Sequence, residues 1–137
     1  PRIAGCGGFV NITQNTQNVV FCGTFTTGKL KEEIKDGKLT IIQEGSVRKF
    51  VPSVDHITFS GDYARKQGQH VYYITERAVF EMKEDGIHLT EIAPGIDLQK
   101  DVLDQMGFTP IMKDIKAMPE FIFKDELMGL KEMKANR

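Results

Sequence analysis

The sequence has no excess of either charge. Its 18 Lys and Arg residues face 19 Asp and Glu residues, for a net charge of −1. A phosphate backbone needs a cluster of cations, so nucleic acid is excluded as a partner. Cysteine is scarce: Cys6 and Cys22 are the two present, and their spacing is not that of a metal site. Two free thiols in a reducing cytoplasm fit that usage. No run of 18 or more apolar residues exists, so no membrane span is expected. A secretory leader pattern is also missing. The chain opens Pro1-Arg2-Ile3-Ala4 without methionine and runs straight into glycines, as expected of a processed chain or an excised piece.

What is present is an ordinary globular balance, with 40% hydrophobic and 27% charged residues in a 137-residue chain. A chain of this length can bury roughly 68% of its unfolded surface. The pattern reads as short strands between turns. Asn18–Cys22 is a compact apolar strand. Asp36-Gly37 sets a hairpin with arms Leu30–Ile34 and Leu39–Ile42, and Val47–Val51 can return as a third strand of a meander. His56–Phe59 is a further strand, and Val71–Thr75 is the strongest sheet signal. Asp85-Gly86 pins a second hairpin, in which Ile87 and Leu89 alternate with His88 and Thr90, one face buried and one wet.

Ala93-Pro94-Gly95 breaks the sheet. Asp97 can cap a helix to about Gln105, although Lys100 stands where a capping box needs Glu or Gln. Gly107 fits the residue that closes such a helix. From Pro110 onward the character changes. The expected organisation is residues 1–110 as a sheet-rich domain and 111–137 as a tail. Its Phe121-Ile122-Phe123 anchor packs on the domain or on a neighbour. The short apolar runs suit a sheet covered by helices, yet few helices are encoded, which also points to a partial domain.

Gly5-Cys6-Gly7-Gly8-Phe9 is the sharpest local feature. Closely spaced glycines let backbone N–H groups approach a ligand, and such a loop can hold an oxyanion or a phosphate. A tight turn gives the same spacing. It is not a dinucleotide fingerprint, because Val10 occupies the sixth position. His56, His70 and His88 lack ligand spacing. Ser46, Ser53 and Ser60 lack a nucleophile-elbow context. Asp55 and His56, adjacent on a strand, point to opposite faces. Glu76, at the end of the best strand, can be a catalytic carboxylate, a hairpin residue or the partner of an exposed arginine.

Four stretches together resemble family I coenzyme A transferases of the acetate/acetoacetate and propionate type. They are Gly5–Ile12, Val20–Thr26, Val71–Phe80 with its Thr-Glu-x-Ala-Val-Phe run, and Glu91–Leu98 around Ala-Pro-Gly. The resemblance covers essentially the whole chain. It implies an α/β fold: the C-terminal part of an open sheet with several antiparallel hairpins and a few helices. It also implies ping-pong transfer of CoA between short-chain acyl groups and carboxylates through a glutamyl-CoA thioester, with acyl-CoA as substrate and no further cofactor. By position Gly7 or Gly8 donates the oxyanion N–H. The family's glutamate lies in a Glu-Asn-Gly motif, and none occurs here. No catalytic residue is therefore expected in this chain, and no activity from it alone. The implied partner is the missing N-terminal half, with homo-oligomerisation and a cytoplasmic location. A non-catalytic assembly module that docks through Phe121–Phe123 is the alternative.

Overall fold

A computed structural model describes residues 12, 13, 15–52 and 67–124. Nine strands are assigned among them: β1 (Asn18–Cys22), β2 (Thr26–Thr27), β3 (Lys31–Lys35), β4 (Lys38–Gln43), β5 (Val47–Arg48), β6 (His70–Ile74), β7 (Ala78–Lys83), β8 (Gly86–Ile92) and β9 (Ile111–Ala117). The main sheet is five-stranded in the order β1-β6-β7-β8-β9. Its outer pairs, β1–β6 and β8–β9, are parallel, while β6–β7 and β7–β8 are antiparallel hairpins. The expected mixed open sheet is therefore present.

The Asp36-Gly37 hairpin forms as the dipeptide dictates. Lys35 pairs with Lys38, and both turn residues take positive φ (54° and 75°), the mirror-image turn that matches strand twist. The expected meander does not form. Val47–Arg48 pairs with Thr26–Thr27 rather than returning onto β4, so β3–β4 stands as a two-stranded ribbon. The second hairpin turns one residue early: Lys83 pairs with Gly86, leaving Glu84-Asp85 at the tip. His88 was expected on a wet face but is buried, because its Nε2 lies 2.6 Å from Asp85 Oδ1 and gains a partner there.

Asp97 does cap, accepting the Lys100 N–H at 2.7 Å. The reciprocal bond comes from Asp101, whose Oδ2 accepts the Asp97 N–H at 3.0 Å, one position beyond the usual capping box. The expected regular helix is instead a π turn over Leu98–Val102 and a 3₁₀ turn over Leu103–Gln105. Gly107 is not left-handed. It is small because the chain beside it is close: its N–H donates to Phe50 O at 2.7 Å, and an added Cβ would sit 2.6 Å from Pro52 Cδ. Gly95 does need its conformation. It has φ +88°, and an added Cβ would lie 2.8 Å from Leu39 O, where β4 docks through the bond from Leu39 N–H to Pro94 O.

The core gathers Phe25, Leu39, Ala78, Phe80, Leu89, Val102, Met118 and Phe123 with neighbouring apolar residues. It joins β7 and β8 to the β3–β4 ribbon and the turns after β8 and β9. Each buried phenylalanine contributes about 2–3 kcal/mol. The boundary drawn at residue 110 falls within this unit: 111–117 is a strand of the main sheet, and Phe123 is 4% exposed in the core. Of the Phe121–Phe123 anchor, Phe123 packs into the core of its own fold, one of the two expected placements, while Ile122 is 47% exposed. The remainder of that tail, 125–137, and the His56–Phe59 strand lie outside the described residues.

Candidate functional site

β1 and β6 run parallel and end together at Cys22 and Ile74. Beyond their carboxyl ends opens a cleft of about 360 Å³. In open sheets with parallel strands this is the common place for a ligand. One wall is the turn Phe21–Thr24, the other Lys49–Val51, with Tyr73, Ile87 and Phe108 between them. Phe21 stacks on Tyr73 with ring centroids 5.3 Å apart. Burial pushes the Tyr73 phenol above its ordinary value. Lys49 Nζ donates to Thr24 Oγ1 at 2.9 Å, so the two walls meet at an exposed ammonium. The exposed Cys22 thiol is free. Among the described lining residues there is no carboxylate and no histidine. The cleft can bind an apolar chain, but these side chains supply no acid–base pair.

Behind the walls lies a buried charge cluster. The Arg77 side chain is 0% exposed. Its Nε donates to Glu76 Oε1 at 2.7 Å, and Nη1 donates to Glu44 Oε2 at 2.6 Å and to the Asp101 carbonyl at 3.0 Å. Nη2 donates to Glu44 Oε1 at 3.2 Å and lies 3.6 Å from Glu32 Oε1. The guanidinium carbon sits 5.0 Å over the centre of the Phe25 ring. Glu76 Oε2 accepts the Phe25 N–H at 2.7 Å. The Thr26 hydroxyl donates to Glu44 Oε1. One cation thus ties the loop after β1 to β3, to the β4–β5 and β6–β7 turns and to the π turn.

Three carboxylates surround that single cation, and two of them, Glu44 and Glu32, are shifted in opposite directions. Burial works against the Glu44 charge, but bonds from Arg77 and Thr26 outweigh it and hold the carboxyl below its ordinary value. Burial, then the Glu76 carboxylate, pushes Glu32 up to about 7, and its Oε1 has no hydrogen-bond donor. A raised carboxyl favours the fold in its protonated form. The stability Glu32 contributes is therefore complete below its ordinary 4.5 and lost as pH rises through about 7. Glu32→Gln should remove that loss. Urea unfolding is expected to show the variant more stable by about 1 kcal/mol near pH 8, after discounting for partial exposure, and equal near pH 4.5. Equal stability at both pH values would count against the assignment.

The structure assigns Glu76 to a structural pair with Arg77, whose guanidinium is buried rather than exposed. His88 is paired with Asp85, and His70 is exposed at the start of β6. Gly7, Gly8, Ser53, Asp55, His56 and Ser60 lie outside the described residues. Sequence reasoning missed Arg77 and Glu44 as a centre. The available signal was a charged residue directly before the apolar Ala78-Val79-Phe80. Among the described residues no group of His, Cys, Asp and Glu is placed to hold a metal, and no helix is long and apolar enough to cross a membrane.

No protein-family profile matches the chain. An acetate CoA-transferase of Escherichia coli K12, YdiF, is 56% identical over 129 residues, 93% of this chain and 24% of that protein. A crystal structure of the acyl-CoA transferase YdiF from Escherichia coli O157:H7, a thioester complex with CoA, superposes with a TM-score of 0.89. It is 56% identical and covers 91% of this chain and 25% of that one. Over nearly all of its length the chain is similar to coenzyme A transferases. A caffeate CoA-transferase of Acetobacterium woodii is 52% identical over 130 residues, 94% of this chain and 25% of that protein. The chain spans about a quarter of the length of the CoA-transferases it matches. Its mixed sheet with few helices matches about a quarter of that crystal structure.

Proposed function

We propose that this chain is the C-terminal quarter of an acyl-CoA:carboxylate CoA-transferase. The observation that carries the reading is the 56% identity and 0.89 TM-score to a transferase described as a thioester complex with CoA. In the proposed cycle a glutamate carboxylate attacks the acyl-CoA carbonyl and expels CoA as thiolate, leaving an acyl-glutamyl anhydride. The thiolate then attacks the glutamyl carbonyl, releases the first carboxylate and forms a glutamyl-CoA thioester. A second carboxylate takes over the CoA by the same two steps in reverse. No redox change occurs, and no cofactor is needed beyond CoA itself.

A carboxylate is a weak nucleophile, so the negative oxygen of each tetrahedral intermediate needs fixed donors in a dry site. Gly7 or Gly8 supplies one such N–H. The cleft beyond β1 and β6 takes the apolar part of the acyl-CoA, which its aromatic and aliphatic walls suit. Because the sequence contains no Glu-Asn-Gly, the nucleophile comes from the upstream part of the longer enzyme. That enzyme is expected to be cytoplasmic and homo-oligomeric, with acyl-CoA and short-chain carboxylates as substrates.

The test is a CoA-exchange assay between acetyl-CoA and labelled short-chain carboxylates. The purified chain alone is expected to show no turnover. Supplying the upstream part, fused or co-expressed, is expected to create it. Turnover by the isolated chain would refute the assignment of the nucleophile, and a folded whole enzyme that leaves every acyl-CoA intact would refute the transferase reading.

A further inference from the structure

Both walls of the cleft are fixed from behind by Phe25, a residue outside the cleft lining. Its backbone follows Gly23-Thr24 directly, and its ring stacks on Phe50, with centroids 4.9 Å apart, in the opposite wall. Gly23 N–H makes the last bond of the β1–β6 pair, to Ile74 O at 3.1 Å. Past that bond, the Phe25 N–H donates to no backbone carbonyl among the described residues. It donates to Glu76 Oε2 at 2.7 Å, across 51 residues of sequence. Glu76 is in turn held by Arg77 Nε through its other oxygen, at 2.7 Å. The opposite wall reaches the same centre by another route. Lys49–Val51 continues β5, which pairs with Thr26–Thr27, and Thr26 donates to the Glu44 carboxylate on Arg77.

We propose that Glu76 is a positioning residue for acyl-CoA binding: its bond to the Phe25 N–H sets the turn 23–25 and so the width of the cleft. The kinetic part of this proposal rests on the transferase reading above; the structural part does not. Carboxylate geometry makes the role specific. Glu76 needs two acceptor oxygens at once, one for Phe25 N–H and one for Arg77 Nε. A glutamine has a single acceptor oxygen and turns an NH₂ toward one of those two donors. An aspartate keeps the charge but is one methylene too short to reach both.

The experiment compares Glu76→Gln and Glu76→Asp with the native residue in the longer enzyme that carries this chain, by two readouts. In steady-state kinetics, Glu76→Gln is expected to raise KM for acyl-CoA by about tenfold while kcat changes by less than about threefold, the pattern of lost uniform binding. In amide hydrogen exchange, Gly23–Phe25 is expected to exchange about tenfold faster, with β7 unchanged. Glu76→Asp is expected to fall between, and it decides the matter if the glutamine variant does not fold. Unchanged KM and exchange would overturn the proposal. So would faster exchange spread across β6 and β7, which marks a merely structural residue. Loss of kcat at constant KM would overturn it in favour of chemistry at Glu76 itself. If the native enzyme transfers no CoA, the transferase reading fails on its own, and the exchange data at 23–25 still judge Glu76.

Discussion

Arg77→Met is expected to destabilise the chain by about 3–5 kcal/mol at neutral pH, the range for removing one side of a buried ion pair. Methionine approximates the aliphatic stem of arginine, so little packing is lost. What remains is Glu44 and Glu76 without the cation that both bind, Glu32 without its nearby guanidinium, and an Asp101 carbonyl that loses a donor. Lysine is no rescue, because one ammonium cannot reproduce bonds that leave the guanidinium in several directions. The pH dependence separates charge from packing. The Glu44 carboxyl is held low in the fold, so the stability it contributes exists above its ordinary value and is lost as pH falls. Near pH 4 the native chain has begun to lose that term and the variant has none to lose, so the gap in urea unfolding should narrow. Adding Glu44→Gln and Glu76→Gln to Arg77→Met should recover part of the loss, as coupled sites do. An Arg77→Met chain as stable as the native one at pH 7 would mean the cluster does not form.

The sequence was legible where a short segment decides its own shape. Asp36-Gly37 is such a case, because two positive φ values at a two-residue tip are what that dipeptide favours. Asp97 is another, since its cap bond reaches three residues ahead. Asp85-Gly86 looked equivalent and was not. The tip moved to Glu84-Asp85, placing Asp85 against His88 and burying a histidine that simple alternation had left in water. Long-range choices were harder. Nothing near Val47 states that it pairs with Thr27 rather than with β4. β9 reads as a tail because Lys113, Asp114 and Lys116 interrupt its apolar residues and most of it is exposed, yet an edge strand is where lysines are tolerated and useful. The site divides the same way. The glycine segment was visible as a motif, and its meaning came from resemblance. The Arg77 centre draws on five stretches of chain, so no local pattern announces it. Glu76 was weighed as a catalyst or as partner of an exposed arginine; that Arg77 is fully buried could be learned only from the fold.

The largest effect on chemistry is expected at the glycine segment. If, as proposed above, Gly7 or Gly8 donates to the oxyanion, valine at that position in the longer enzyme should lower kcat by about 10²-fold or more, the scale of losing one such donor. On that proposal the substitution keeps the N–H but shifts it from its place beside the developing oxyanion, and small displacements there carry large penalties. The donor acts on charge that exists only in the transition state, so KM for acyl-CoA should change far less than kcat. This is the reverse of the split expected for Glu76→Gln, and the pair of variants separates holding the substrate from stabilising its transition state. Gly68→Ala is the control. That glycine precedes β6, and an added Cβ meets nothing within 4 Å, so the substitution brings local strain at φ +68° without blocking a ligand. Turnover should survive there. If Gly7→Val and Gly8→Val both turn over acyl-CoA like the Gly68 control, the oxyanion role belongs elsewhere in the enzyme.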